Sequence, residues 1–300
     1  MPVEPRDVAR TGADLLLSGT GHWLTPRDVT APLVVLIHGF TSHGRYLQEL
    51  ARFIDGHGLC AATFNYDSYL GIDRGADDLV ARLIPVAEPL RGHGLAFVGH
   101  SMGGLVARLA ARRLAVPLRD ALRGVVCLGT PHRGALADHR WLDFMLDWAE
   151  ALADPNPFAR SPLCRAARQL TRQDPEALID DLNGADSTSP LPHPMLSISG
   201  GQQYLDLGSS VFEGVTRRLR LDRSTILQRL IDDQPNDGLV PESSSDLTRV
   251  LGGLDGRVEH RNDYLAYPRT NHTNLARNQE VAGIVVQWLI ERAGLRPGRA

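Results

Sequence analysis

The sequence has few of the features that mark secreted, membrane-spanning or nucleic-acid-binding proteins. Its 300 residues include only three cysteines, which are far apart and lack metal-ligand spacing. No apolar run approaches the length of a membrane span, and the acidic N-terminal stretch does not read as a signal peptide. The net charge of -3, without a basic cluster, argues against nucleic-acid binding. We therefore expect a cytoplasmic protein that uses no metal or other cofactor, binds no nucleic acid and is not integral to a membrane.

Strands and helices alternate along most of the chain. Apolar residues make up 43% of the sequence, enough for a sizeable core, and we expect a single domain over residues 1–300. Buried strands are predicted at 33–37, 60–64, 95–98, 125–128 and 195–198, with a weaker one near 258–260. Helices are predicted at 76–90, 102–114 and 279–292. This order is typical of an α/β fold with a doubly wound, mostly parallel sheet. Residues 1–31 are predicted to add one or two edge strands.

Two stretches interrupt the alternation. Residues from about 135 to 190 contain no strand candidate and are predicted to form a helical cap, and a second insertion is expected at about 201–233. An apolar stripe at helical spacing includes Trp141, Phe144 and Trp148. This stripe either packs onto the domain or faces a pocket and binds substrate, and the sequence leaves both interpretations open.

The most informative segment is 94–105, which reads Gly-Leu-Ala-Phe-Val-Gly-His-Ser-Met-Gly-Gly-Leu. A short apolar strand ends at Gly99 and a helix begins directly after Ser101, so the serine lies at a sharp turn within Gly-x-Ser-x-Gly. Such a turn lifts the hydroxyl out of the sheet and places it at a helix N-terminus, where unpaired N–H groups stabilise a developing anion. We interpret Ser101 as a nucleophile.

A serine nucleophile requires a histidine base and a carboxylate that fixes the histidine tautomer. In open parallel sheets these groups lie in loops after later strands, and after this turn the acid precedes the histidine in the chain. Asp237 and His272 fit both requirements. Asp232 and Asp233 are alternative acids at a helix end, and His260, inside the strand predicted near 258–260, is the alternative base.

Two backbone N–H groups are needed where charge develops on the attacked carbonyl oxygen. Met102, directly after the nucleophile, and Phe40, in the turn after strand 33–37, are the predicted donors. His38 is expected to brace that turn, and His100 to pack or hydrogen bond near the nucleophile.

These motifs together resemble those of α/β-hydrolases. The segments that carry the resemblance are Val34 to Phe40, Gly99 to Gly104, Gly129-Thr130-Pro131-His132-Arg133-Gly134, Asn236 to Pro241, and His272. They are most similar to the bacterial triacylglycerol lipases and to lipase-like esterases that include glycosylphosphatidylinositol inositol deacylases. The resemblance implies hydrolysis of a carboxylic ester through an acyl-enzyme, with Ser101, Asp237 and His272 as triad. An apolar stripe that faces the pocket would favour an apolar acyl group, and we expect the substrate to be a small-molecule or lipid ester.

Other functions are compatible with the same residues. A thioesterase, an amidase or an acyltransferase differs from an esterase in its pocket and water access, not in its triad. A non-catalytic binding protein on a hydrolase fold is a further alternative, although such a protein need not retain an intact triad.

Overall fold

The computed structural model describes residues 13–18, 21–134, 165–170, 178–201, 236–252, 254–262 and 270–298. Seven strands form one sheet: β1 (Asp14–Leu17), β2 (Leu33–Ile37), β3 (Cys60–Asn65), β4 (Leu95–His100), β5 (Leu122–Leu128), β6 (Met195–Ser199) and β7 (Val258–Asn262). Their spatial order is β1-β3-β2-β4-β5-β6-β7. Only β1 is antiparallel to its neighbour, and every other pair is parallel. The predicted doubly wound, mostly parallel sheet is confirmed, and β1 is the edge strand contributed by the first part of the chain.

Helices fill most connections between the strands. The α-helices are α1 (Gln48–Asp55), α2 (Ile72–Leu83), α3 (Ala87–His93), α4 (Met102–Arg113), α5 (Leu118–Ala121), α6 (Arg165–Leu170), α7 (Ile179–Thr188), α8 (Glu242–Ser245), α9 (Leu247–Leu251) and α10 (Gln279–Glu291). Short 3-10 turns lie at Pro26–Asp28, Gly44–Leu47, Ser68–Leu70, Ile84–Val86, Leu254–Gly256 and Leu275–Arg277. The predicted helices at 76–90, 102–114 and 279–292 correspond to α2 with α3, α4, and α10.

The central strands β2 and β4 are buried along their whole length because helices cover both faces of the sheet. Alternate residues of a strand point to opposite faces. Val35 and Phe97 accordingly belong to the core beneath α2 and α4. Val34 and Val98 belong to the core beneath α1 and α10. Parallel strands with both faces covered align their carboxyl ends at one edge, and that edge holds the candidate site.

The described part of the predicted cap is helical. It contains α6 and α7, and no strand lies in the described portions of 135–190. The remainder of that prediction, including Trp141, Phe144 and Trp148, lies outside the described residues, as does nearly all of the second insertion at 201–233. Which way the aromatic stripe faces therefore stays a prediction.

A buried ion pair joins α7 to the helix that follows Ser101. Arg108 and Asp186 are both fully buried, and the Arg108 Nη2 lies 2.7 Å from the Asp186 Oδ2. Arg108 also donates to Asn183 at 2.9 Å and contacts the His132 Nδ1 at 3.0 Å, and Arg112 binds the other Asp186 oxygen at 2.9 Å. One carboxylate thus fixes α7 against α4.

Replacing Asp186 by alanine should lower the free energy of unfolding by about 3–5 kcal/mol, because Arg108 would stay buried without its counter-charge. Urea titration followed by circular dichroism measures this change. Arg119→Ala, which removes half of an exposed ion pair with Asp120, is the control and should change stability by less than about 0.5 kcal/mol. An equal decrease in the free energy of unfolding in the two variants would show that the buried ion pair stabilises the fold no more than the exposed one does.

Candidate active site

The structure contains the sharp strand-to-helix turn predicted around Ser101. Strand β4 ends at His100, α4 begins at Met102, and Ser101 between them has φ 55 and ψ -130, a conformation that L-residues rarely adopt. The turn leaves no room for side chains at the flanking glycines. A Cβ on Gly99 would lie 2.4 Å from the Gly103 backbone, and one on Gly103 would lie 2.2 Å from the Ile37 carbonyl oxygen. The Ser101 N–H donates to the Leu128 carbonyl at 2.8 Å, which ties the turn to β5.

Asp237 and His272 form a buried pair at the same edge of the sheet. The His272 Nδ1 lies 2.8 Å from the Asp237 Oδ2, and the side chains are 2% and 1% exposed. The backbone N–H of His272 also donates to the backbone carbonyl of Asp237 at 2.7 Å. The other carboxylate oxygen, Oδ1, accepts the N–H groups of Leu239 at 3.0 Å and Val240 at 2.7 Å. Because a carboxylate only accepts hydrogen bonds, His272 carries its proton on Nδ1, and Nε2 is left free to accept one.

The pair lies beside the Ser101 turn. His100, the residue before Ser101, has its ring centroid 4.9 Å from that of His272. Gly129 directly follows Leu128, the hydrogen-bond partner of Ser101, and a Cβ on it would meet both members of the pair. On the opposite side of the turn, a Cβ on Gly39 would lie 3.2 Å from the Ser101 Oγ. The three predicted catalytic residues thus collect at the carboxyl ends of β4, β5 and β6.

The two predicted anion donors flank Ser101. Among the described residues, neither the Phe40 N–H nor the Met102 N–H has a hydrogen-bond acceptor within the protein. Met102 is the first residue of α4, so its N–H also carries the positive end of the helix dipole. Both N–H groups can therefore donate a hydrogen bond to an oxygen atom of a bound ligand.

His38 braces the Phe40 turn, as the sequence suggests. Its Nδ1 lies 2.9 Å from the Gly39 carbonyl oxygen, and its ring stacks on Tyr66 at 4.5 Å. The Tyr66 hydroxyl donates to the His38 carbonyl at 2.9 Å. Burial lowers the pKa of His38 to about 4, so it acts as a neutral brace. Next to Phe40, Thr41 has φ 56 and donates its N–H to the Ser68 Oγ at 3.0 Å.

The alternative residues have different positions. His260 lies in β7 with its Nδ1 2.9 Å from the Ser197 Oγ on β6, and it has Asp246 and Glu242 as acidic neighbours at 3.8 and 3.9 Å. It therefore joins β7 to its neighbouring elements. Asp232 and Asp233 lie outside the described residues.

Gly129 is a residue of the site whose role the sequence did not reveal. It has φ 56, and a Cβ there would lie 2.9 Å from the Asp237 Oδ2 and 3.0 Å from the His272 Nδ1. The glycine of Gly-Thr-Pro-His-Arg-Gly is required both by its backbone conformation and by the close approach of this pair. The sequence feature that could have identified Gly129 is its position directly after β5, the strand that pairs with β4.

Replacing Gly129 by alanine should reduce kcat about a hundredfold, because the methyl group would displace the Asp237–His272 pair by a fraction of an ångström to an ångström. Steady-state hydrolysis of p-nitrophenyl esters, the class of substrate that the sequence motifs predict, measures the effect in the purified variant. Gly283→Ala is the matched control: nothing lies within 4 Å of its Cβ position in α10, and it should gain about 0.5–1 kcal/mol of stability with unchanged kcat. Full activity in the Gly129 variant would contradict the packing argument.

The described residues offer no grouping of three or more His, Cys, Asp or Glu side chains that is suited to a metal ion. In the same part of the chain, no helix has the length and hydropathy that crossing a bilayer requires.

Comparison with known proteins agrees with this architecture. The sequence model of the Alpha/beta hydrolase family matches residues 34–284. No curated protein matches the chain in sequence. Among solved structures, the mature lipase BlEst2 of Bacillus licheniformis superposes with a TM-score of 0.57 at 19% identity, covering 86% of this chain and 92% of that one. A lipase-esterase related protein from Clostridium acetobutylicum gives a TM-score of 0.50 at 13% identity, covering 93% and 99%.

Proposed function

This chain belongs to the α/β hydrolase family, and we propose that it hydrolyses carboxylic esters of apolar acyl groups through an acyl-enzyme on Ser101. The observation that carries the proposal is the buried Asp237–His272 pair, with a hydrogen bond of 2.8 Å, beside a serine in a strained turn. The similarity of the fold to a bacterial lipase is consistent with the proposal.

In the proposed first half-reaction, His272 Nε2 takes the proton of the Ser101 hydroxyl as its Oγ attacks the ester carbonyl carbon. The carbonyl oxygen becomes an anion and accepts hydrogen bonds from the Phe40 and Met102 N–H groups. Asp237 stabilises the imidazolium. The carbon–oxygen bond to the alcohol then breaks, and His272 returns its proton to the leaving alcohol, so that the acyl group remains on Ser101.

In the second half-reaction, water replaces the alcohol. His272 takes a proton from the water, the resulting hydroxide attacks the acyl carbon, and the same two N–H groups hold the oxyanion. Collapse of this intermediate releases the carboxylic acid and returns the proton from His272 to Ser101. The free enzyme is thereby restored without a cofactor.

An apolar acyl group fits the surroundings of the proposed donors. The Phe40 ring packs edge-on against Tyr69 at 5.2 Å, and both residues belong with Met102 and Leu239 to one buried apolar cluster. An apolar environment next to the proposed donors favours a hydrocarbon chain beside the scissile carbonyl.

The experiment that tests the proposal combines turnover with labelling. The purified protein should hydrolyse p-nitrophenyl esters and prefer a medium acyl chain to acetate, and a fluorophosphonate probe should label one serine, identified as Ser101 by peptide mass spectrometry. A protein that neither turns over any ester in the series nor reacts with the probe would refute the proposed function. Turnover of acyl thioesters in preference to oxygen esters would reassign the substrate while keeping the triad.

A further inference from the structure

The backbone of His272 is hydrogen bonded to the side chain of His100, the residue directly before Ser101. The His100 Nε2 lies 2.8 Å from the His272 carbonyl oxygen, with the His100 side chain buried. Because a carbonyl oxygen only accepts, Nε2 must carry the proton, and Nδ1 has no hydrogen-bond partner among the described residues. Burial lowers the pKa of His100 to about 3, so it stays neutral and keeps this tautomer.

A second side chain holds the next carbonyl of the same loop. The Tyr46 hydroxyl donates to the Thr273 carbonyl oxygen, although the two residues lie 227 positions apart. The centroid of the Tyr46 ring lies 5.0 Å from that of the His100 ring. The Arg277 guanidinium lies over the Tyr46 ring, 4.8 Å from its centroid, in a cation–π geometry. Burial raises the pKa of the Tyr46 hydroxyl, which therefore remains a donor.

The loop that carries His272 is thus fixed at three backbone groups of two consecutive residues. The His272 N–H binds the Asp237 carbonyl at 2.7 Å, the His272 carbonyl accepts from His100, and the Thr273 carbonyl accepts from Tyr46. Between Thr270 and the 3-10 turn at Leu275–Arg277 this loop contains no helix or strand. The hydrogen bonds to Asp237, His100 and Tyr46 therefore connect it to the elements around it.

We infer that His100 and Tyr46 are positioning residues for the base: they set the distance from the His272 ring to Ser101 by holding two successive carbonyl groups of the base loop. This inference rests on the proposed function. The neutral state of His100 matters because an imidazolium forms on His272 during each half-reaction, with the two ring centroids 4.9 Å apart, and a lysine or arginine at position 100 would repel it. Neither side chain touches substrate in this role.

The test separates positioning from simple stabilisation. Tyr46→Phe removes one hydroxyl and should lower kcat for p-nitrophenyl acetate about tenfold with KM unchanged, since a displaced base slows the chemical step and not substrate binding. His100→Leu should lower kcat about a hundredfold. His100→Gln keeps a neutral N–H donor and should recover most of that loss. Fluorophosphonate inactivation, which needs the same Ser101–His272 contact, should slow in parallel with kcat.

His193→Leu is the matched control, because His193 is as buried as His100 but precedes β6, at the opposite edge of the sheet. It should leave kcat unchanged. If Tyr46→Phe and His100→Leu keep full kcat while the parent protein turns over ester, the positioning inference is wrong and the proposed function stands. If the parent shows neither turnover nor labelling, the proposed function itself has failed. An equal loss of kcat in His100→Gln and His100→Leu would also overturn the inference.

Discussion

Replacing Ser101 by alanine should leave a folded protein whose esterase kcat is lower by about three orders of magnitude or more. The Ser101 Oγ is the atom that forms the acyl bond in the proposed mechanism, and alanine supplies no replacement. The Asp237–His272 pair and the two N–H donors would remain, so any residual rate would come from direct attack by water. The fold should persist because the hydrogen bond from residue 101 to Leu128 is made by the backbone.

Burst-phase and steady-state hydrolysis of p-nitrophenyl esters, together with fluorophosphonate labelling, measure this loss. Ser189→Ala is the matched control, because Ser189 is exposed just after α7 and its substitution should leave kcat unchanged. The alanine variant at 101 should keep the melting temperature of the parent within a few degrees. Turnover close to the parent rate in a pure, folded Ser101 variant would rule out this serine as nucleophile.

Replacing Asp237 by asparagine should lower kcat by about ten-thousandfold, the size of the effect in serine proteases. The structure gives a specific reason for so large a loss. The Asp237 Oδ1 already accepts the N–H groups of Leu239 and Val240, so an asparagine would keep its oxygen there. Its NH2 group would then face His272 Nδ1 and force the proton onto Nε2. In that tautomer His272 cannot accept the Ser101 proton.

Asp232→Asn and Asp233→Asn are the controls for this assignment, since both residues are candidate acids by sequence alone. Each should leave kcat within a few fold of the parent. A severe loss in one of them combined with a mild effect at Asp237 would move the acid to that position. A severe loss at Asp237 accompanied by unfolding, seen by circular dichroism, would mean that the variant is inactive because it does not fold, and it would leave the assignment of Asp237 as the orienting acid unsupported.

Short-range patterns predicted most of the sheet. Five apolar runs matched β2 to β6 to within a few residues, because strands buried on both faces must be apolar throughout. Helix α1 was missed although Leu50, Ala51 and Ile54 are buried at helical spacing, since an eight-residue amphipathic segment also suits a loop. The short helices α8 and α9, after Asp237, were missed for the same reason: their stability comes from packing, not from local propensity.

The sequence by itself determined the turn at Ser101, because a strand, one residue and a helix flanked by glycines is a local arrangement that neighbouring residues encode. It also narrowed the acid and the base to a few candidates at strand ends. Only the tertiary structure decided that Asp237 pairs with His272, that Gly129 must lack a side chain beneath them, and that His100 and Tyr46 hold the base loop. These contacts join residues 35, 172 and 227 positions apart, and such pairings depend on how the sheet brings its strand ends together. No pattern of neighbouring residues specifies them.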